Sequence, residues 1–371
     1  MTDKLLFTPG PLTTSKTVRQ AMLRDLGSRD TEFLAVVRNI RCRLLELGNV
    51  AHAGYEAVLM QGSGTFAVEA VISSTLPRDG KLLVLINGAY GQRMAKIART
   101  LGIATETQAF PEAQPVTPDA VRDVLQRDRA VTHVGVIHSE TTTGMINPVE
   151  SIGAVVKENG RTFIVDAMSS YGGVPIDLVA AGIDFLVSSA NKCIQGVPGF
   201  GFVLARRDLL AEAEGRARSL SLDLVAQWKG LEADGQFRFT PPTHVLLAFW
   251  QALVELEAEG GVAARAARFA ANQRALMEGM TALGFRAYLA PELQSSIITS
   301  FFYPAHPNFN FKTFYQGLSD QGFVIYPGKV SDAECFRIGT IGHLFPDDIR
   351  ALTAAIGRTL AAMQVEMPRA A

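Results

Sequence analysis

"SSANKCIQGVPGFG", Ser188–Gly201, sets a lysine among small residues directly behind a run that reads as a buried strand. That run, "IDFLVSS", is apolar and bounded on its far side by Gly182; downstream stand Gly196, Pro198, Gly199 and Gly201. Lys192 therefore falls just past a strand end, where small neighbours let other groups come close. An ammonium in apolar surroundings is costly, and proteins avoid it or lower the lysine's pKa. The chain holds nine lysines against twenty-six arginines, so an inward lysine is not one of many surface charges. Arginine carries charge equally well; a lysine is needed where an amine must lose its proton and attack. A lysine stretching its stem out to solvent is the competing reading.

Working outward, strand-length apolar runs alternate with segments of helical period. "GYEAVLM", "KLLVLIN", "THVGVIHS", "TFIVDA" and "IDFLVSS" read as strands, and "GQRMAKIARTLG" and "PVESIGAVVKENG" as helices. "TPDAVRDVLQR" is a helix with Thr117 as N-cap and Pro118 at its first position. Continuous rather than alternating apolar strands, with helices between them, predict an α/β fold with a mostly parallel sheet covered on both faces. Beyond about Gly260 the texture changes. A long Ala/Arg-rich helix, "VAARAARFAANQRALMEGMTALG", precedes mixed strands and helices, which predicts a smaller α+β domain. The expected division is an N-terminal extended segment over 1–15, a large domain over 16–261 and a small domain over 262–371.

Composition bounds the function. A chain of 371 residues, 48% apolar and 19% charged, has the make-up of a globular protein rather than a disordered one. Its net charge of −1 offers nothing to nucleic acid or to an anionic membrane. No run reaches membrane-spanning length, and "MTDKLLFTPGPLTTS" lacks a secretory apolar core. Cys42, Cys193 and Cys335 are scattered, without metal-ligand spacing, which makes a reduced, cytoplasmic setting the expectation.

In open α/β sheets ligands sit beyond the carboxyl ends of the strands, so the polar residues there are the candidates. After "GYEAVLM" the turn Gly62-Ser63-Gly64-Thr65 opens an apolar helix, a place where backbone N–H groups and hydroxyls hold a phosphate. Gly-Ser-Gly turns also open many helices that bind nothing. Tyr90, after "LLVLIN", could stack on a flat ligand or simply be half-buried. "ETTTG", Glu140–Gly144, clusters donors and acceptors at another strand end. Asp166 ends "TFIV", where a buried carboxylate needs a partner or caps a helix. Together with Lys192 these features match one small molecule: pyridoxal phosphate, with a phosphate, a flat ring, a pyridine nitrogen suited to an anion and an aldehyde that condenses with a lysine. No dinucleotide fingerprint and no Walker-type phosphate loop competes.

The motifs "TPGPLTTS", "QGSGTFAVEA", "NGAYGQRM", "HSETTTGMINP", "IVDAMSSYGG", "SSANKCIQGVPGFGFV", "FTPPTHVLLAFWQAL" and "GFVIYPGKVSDAECFRIGTIG" resemble the class V, fold-type I aminotransferases over nearly the whole chain. The resemblance implies that Lys192 holds the cofactor covalently and Asp166 partners its pyridine nitrogen. It places Ser63, Gly64 and Thr65 at the phosphate, Tyr90 on the ring, Thr141 near the phenolic oxygen and Ser189 at the strand end leading to the lysine. Thr240, in "FTPP", would reach the phosphate of a partner subunit, which implies a homodimer. Arg337, in "FRIG", would grip the substrate's acid group, with Gly10 beside it. Within the family the match favours 2-aminoethylphosphonate as amino donor and pyruvate as acceptor. The alternatives are an alanine– or serine–glyoxylate aminotransferase and an ammonia-lyase acting on aminophosphonates. "LGSRDTEF", around Gly27–Phe33, departs from the tryptophan- and aspartate-rich stretch of some phosphonate transaminases, and is expected near the substrate's entry.

Overall fold

Unbroken runs of valine, isoleucine, leucine and phenylalanine suit strands with neighbours on both sides and helices on both faces. The computed structural model, which describes residues 3–367, puts such runs in the middle of a seven-stranded sheet. In chain order its strands are β1 (Tyr55–Gln61), β2 (Lys81–Ile86), β3 (Ala104–Ala109), β4 (Val131–Ile137), β5 (Thr162–Asp166), β6 (Phe185–Ser189) and β7 (Phe200–Arg206). Their order across the sheet is β1-β7-β6-β5-β4-β2-β3. All neighbours are parallel except β7, which is antiparallel to both β1 and β6. Reversing once on each side of β7 leaves β1 pointing the same way as β2, β4, β5 and β6. Their carboxyl ends therefore lie along one edge.

Two strands go beyond those the sequence predicts. β7 begins at Phe200, between glycines that read as loop, yet it is buried along almost its whole length and fills the slot between β1 and β6. β3, "ATETQA", lacks an apolar run: it is one of the two edge strands and, unlike the buried edge strand β1, is only half-buried along its length. The helices Thr31–Leu47 and Thr243–Glu259 are further additions; they pack together against the large core.

A second core lies beyond the long helix Gly261–Ala282. A smaller antiparallel sheet, β8 (Ile298–Phe302), β9 (Tyr326–Pro327) and β10 (Cys335–Gly339), runs in the order β8-β10-β9. It packs with helices Phe311–Asp320 and Pro346–Ala362. Phe336 is its centre, with the rings of Phe314 and Phe285 at 5.4 and 5.5 Å. Edge-to-face aromatic packing of this kind adds to plain area burial. The N-terminal segment joins this second core: Leu5 and Leu6 pair in parallel with Phe323 and Val324, and Phe7 is fully buried within it. Past Phe7 the chain turns inward to the edge where the large sheet's strands end.

Candidate active site

A cavity of about 170 Å³ opens at that edge. Eight residues expected from the sequence line it: Ser63, Gly64, Thr65, Tyr90, Thr141, Asp166, Ser189 and Lys192. They come from five strand ends, each at a strand's last position or within four residues of it, as the carboxyl-end rule requires.

Asp166 closes β5 and is 8% exposed. Its Oδ1 accepts one hydrogen bond, from the Met168 amide at 2.9 Å. Burial pushes its pKa up to about 6; Glu140 adds to the rise, while the Met168 amide, Lys192 and Arg93 pull it down. Among the described residues no cation is bonded directly to the carboxylate, although charges of both signs stand near.

Lys192 follows β6. Its stem opens into the cavity, yet burial holds its amine below the usual lysine value, with Tyr90, Cys193 and Asp166 acting the other way. The amine donates to the Pro9 carbonyl at 2.9 Å. Gly10 presses against the same side chain: a Cβ there would stand 2.7 Å from Lys192 Cδ and 3.0 Å from Nζ. With φ at +119° as well, only glycine sits there without strain.

Ser63 caps the helix Gly64–Thr75 without accepting a hydrogen bond from it, so its hydroxyl and the first helical amides remain available to an anion. Tyr90 lies in the first turn of the helix Ala89–Thr100. Burial raises its pKa, but the Thr141 hydroxyl and the charges of Lys329, Lys192 and Arg337 outweigh burial and leave it below the usual value.

Arg337 projects from β10 and is 2% exposed. Its Nε donates to the Pro327 carbonyl at 2.9 Å and its Nη1 to the Thr141 carbonyl at 2.7 Å. The guanidinium packs 5.1 Å from the Tyr326 ring centre. Burial lowers its pKa, opposed by Tyr90. Among the described residues Nη2 donates to no carbonyl or carboxylate, and the Tyr90 hydroxyl is a further hydrogen-bonding neighbour of the guanidinium.

Three participants have roles that the sequence does not disclose. Glu140 is fully buried and braces the helix bearing Tyr90: Oε2 accepts from the Tyr90 and Gly91 amides at 3.2 and 3.3 Å. Its Oε1 accepts from the Thr142 amide at 3.0 Å and the Thr142 hydroxyl at 2.6 Å. A carboxylate at a helix N-terminus is favourable. Gly88 makes room for it, since a Cβ there would come 2.5 Å from Glu140 Cδ. Arg93 lines the cavity and lies 5.0 Å from the Tyr90 ring centre, with Nη1 3.4 Å from the Thr65 hydroxyl. Ser139 also lines the cavity, and its buried hydroxyl has no hydrogen-bond partner among the described residues.

Thr240 is not brought to this cavity. It is exposed, in a separate shallow depression with Ser28, Arg29 and Arg238. Its carbonyl accepts from Gln61 Nε2 at 3.1 Å. The departing segment Gly27–Phe33 shares that depression through Ser28 and Arg29, while Asp30 caps the helix Thr31–Leu47 and Phe33 enters the core. The expectation that this segment borders the substrate's entry is not met within its own chain.

These residues fit pyridoxal phosphate. The uncapped helix start suits its phosphate, the buried Asp166 suits a protonated pyridine nitrogen, and the unpartnered Ser139 hydroxyl awaits a polar neighbour. The family model Aminotransferase class-V matches residues 14–329, and the chain belongs to that family. Pyridoxal phosphate is its cofactor. Over 352 residues the chain is 59% identical to a 2-aminoethylphosphonate–pyruvate transaminase of Syntrophobacter fumaroxidans, covering 95% of each protein. It is 54% identical to one from Klebsiella pneumoniae, covering 96% of this chain and 97% of that one. Among solved structures it resembles the pyridoxamine–pyruvate aminotransferase of Mesorhizobium loti, with a TM-score of 0.88, 25% identity, and coverage of 98% and 93%. Among the described residues no helix is long and apolar enough to cross a membrane.

Proposed function

We propose that this enzyme transfers the amino group of 2-aminoethylphosphonate to pyruvate, giving phosphonoacetaldehyde and L-alanine. The observation that carries the chemistry is the pairing, in one cavity, of a lysine and an aspartate on adjacent strand ends, each pushed by burial toward its neutral form. The names of relatives at more than half identity, covering nearly the whole chain, support the substrates. When bound, the cofactor supplies an aldehyde and a ring that accepts an electron pair.

The chain's own residues do the rest. Asp166 keeps a proton on the ring nitrogen. Ser63, Gly64 and Thr65 offer the phosphate an uncapped helix start, while Tyr90 and Thr141 bound the ring. Ser189 leads the backbone to Lys192. The Lys192 amine takes and returns the proton at the substrate's amino-bearing carbon. General acid–base transfer of this kind is typically worth ~10²–10⁴ in rate. Arg337 grips the acid group of either substrate through guanidinium N–H groups that the Pro327 and Thr141 carbonyls do not take, with Gly10 packed beside Lys192. On this reading residues 16–261 carry the cofactor, 262–371 bring the acid-binding arginine, and 1–15 thread between them.

A homodimer completes the picture. Phe66, at the phosphate helix, and Phe239, beside Thr240, are large apolar side chains left 51% and 44% exposed. A second copy that covers them could bring Thr240, and Ser28 and Arg29 with it, to the neighbouring phosphate site. Three cysteines, all present as free thiols, support a reducing, cytoplasmic setting.

The test offers purified, cofactor-loaded protein 2-aminoethylphosphonate with pyruvate, and alanine or serine with glyoxylate. Phosphonoacetaldehyde and alanine in equal amounts are expected. A preference for the glyoxylate pairs overturns the substrate assignment, and ammonia release without pyruvate makes the enzyme a lyase.

A further inference from the structure

Lys329 lies on the turn between β9 and β10, two residues after the last residue of β9. Its Nζ stands 4.0 Å from the centre of the Tyr90 ring. The turn is tied down on both sides. The Ser331 amide donates to Glu112 Oε2 at 2.8 Å, and Glu112 follows β3 of the large sheet. On the other side the Tyr288 hydroxyl donates to the Asp332 carboxylate at 2.8 and 2.9 Å. Two anchors on different parts of the molecule aim the intervening lysine at the cavity's edge. Among the described residues its ammonium makes no ion pair and no hydrogen bond.

Charge counting gives that cation a purpose. Pyruvate brings one negative charge to Arg337, and one guanidinium balances it. A phosphonate brings up to two, on three oxygens in tetrahedral array. Beside the buried Arg337 alone, the second charge would be uncompensated and costly. The Arg337 fork is already half used by the Pro327 and Thr141 carbonyls. Arg93 faces Thr65, at the cofactor-phosphate end of the cavity. Lys329 shares Tyr90 with Arg337 and is otherwise unused. An ammonium, a compact charge on a flexible stem with three rotatable donors, can reach a phosphonate oxygen that the Arg337 fork leaves uncompensated.

We propose that Lys329 is a second substrate-binding cation, which selects a phosphonate dianion over a carboxylate while Arg337 holds either. The inference rests on the aminophosphonate reading above. Its experiment uses cofactor-loaded protein and two amine-free probes, ethylphosphonate and propionate, with affinities measured by calorimetry. Lys329→Met keeps the length and removes the charge. It should weaken ethylphosphonate about 10- to 100-fold and propionate by no more than about 3-fold, with Lys329→Arg recovering most of the loss. In rapid-mixing kinetics the same variant should lose about 10- to 100-fold in kcat/KM for the 2-aminoethylphosphonate half-reaction, mainly through KM. The pyruvate half-reaction should stay within about 3-fold.

Equal weakening of both probes, or of neither, overturns the proposal. So does loss of cofactor retention without a change in probe preference, which would assign the ammonium to the cofactor's phosphate. Because the probes need no turnover, they decide the role of Lys329 even if wild-type protein fails to convert 2-aminoethylphosphonate, and that failure would instead strike the functional reading.

Discussion

The two ends of the cavity are built in different ways. At the cofactor end, Ser63, Thr141, Asp166, Ser189 and Lys192 hang from the strand ends of a single seven-stranded sheet. Their spacing is fixed by that sheet's hydrogen bonds. On the proposed substrate side, Gly10, Arg337 and Lys329 do not line the cavity itself but stand against Lys192, Thr141 and Tyr90, which do; Gly10 comes from the N-terminal segment, and Arg337 and Lys329 from the small sheet and its turn. They reach those residues only where the second core is seated against the first. On the proposed reading, the bond-making groups share one continuous framework, and the recognition groups sit on other parts of the chain, tied to it at Lys192 and Thr141.

The sharpest way to break this contrast is at Lys192. Lys192→Ala should lower transamination by about 10⁴-fold or more and abolish the visible absorbance of lysine-bound cofactor, and Lys192→Arg should do no better. A variant with normal single-turnover rates would deny the cofactor end its chemical role.

Arg337 probes the other end. Arg337→Ala should cut kcat/KM in both half-reactions by about 10²- to 10³-fold while leaving cofactor absorbance intact, with partial rescue by lysine because the fork is lost. Damage to only one half-reaction would mean that the two acids bind at separate places.

Asp166 can also be read through stability, in the cofactor-free protein. In the cofactor-free protein its pKa of about 6 exceeds the unfolded carboxylate value. Protonation is then retained longer in the folded state, so stability is fully present below about pH 4 and is lost as pH rises through about 6. The loss is on the order of 3 kcal/mol above that window. His133 and His138, held neutral by burial with pKa values near 4, contribute the opposite slope, and equally to both proteins in a comparison. Asp166→Asn without cofactor should therefore gain on wild type as pH rises from about 4 to about 6 in denaturant titrations. Loading the wild type with cofactor should erase that gain. A difference independent of pH would refute the unpaired carboxylate.

The smallest effect is expected at Glu112, which only steadies the turn bearing Lys329. Glu112→Gln should raise KM for the phosphonate about 2- to 5-fold and leave kcat and pyruvate untouched.

What the sequence discloses follows the same contrast. The central strands are legible because burial on both faces demands continuous apolar residues, and one rule, to look just past the strand end, then finds Lys192, Asp166, Tyr90 and Thr141. β7 hides behind Gly199 and Gly201, whose roles depend on the neighbours they admit. The bracing role of Glu140 is hidden because its partners include main-chain amides, which leave no mark in a sequence. Arg93 needs the helix to exist first: three residues on from Tyr90, it reaches the same face. Lys329 is least legible of all, since its aim depends on anchors to Glu112 and Tyr288, which lie far away along the chain.

The course of residues 5–10 carries a consequence for synthesis. Leu5 and Leu6 pair with Phe323 and Val324, and Pro9 and Gly10 enclose Lys192. This stretch must wait until Phe323 and Val324 have been made, roughly 15 to 60 seconds at ordinary elongation rates. Through that interval the large sheet can assemble and the lysine can take its place, while the wall facing it is still a dangling strand. The pairing of Leu5 and Leu6 thus belongs to a late stage of synthesis, after the strands that carry Asp166 and Lys192 have been made.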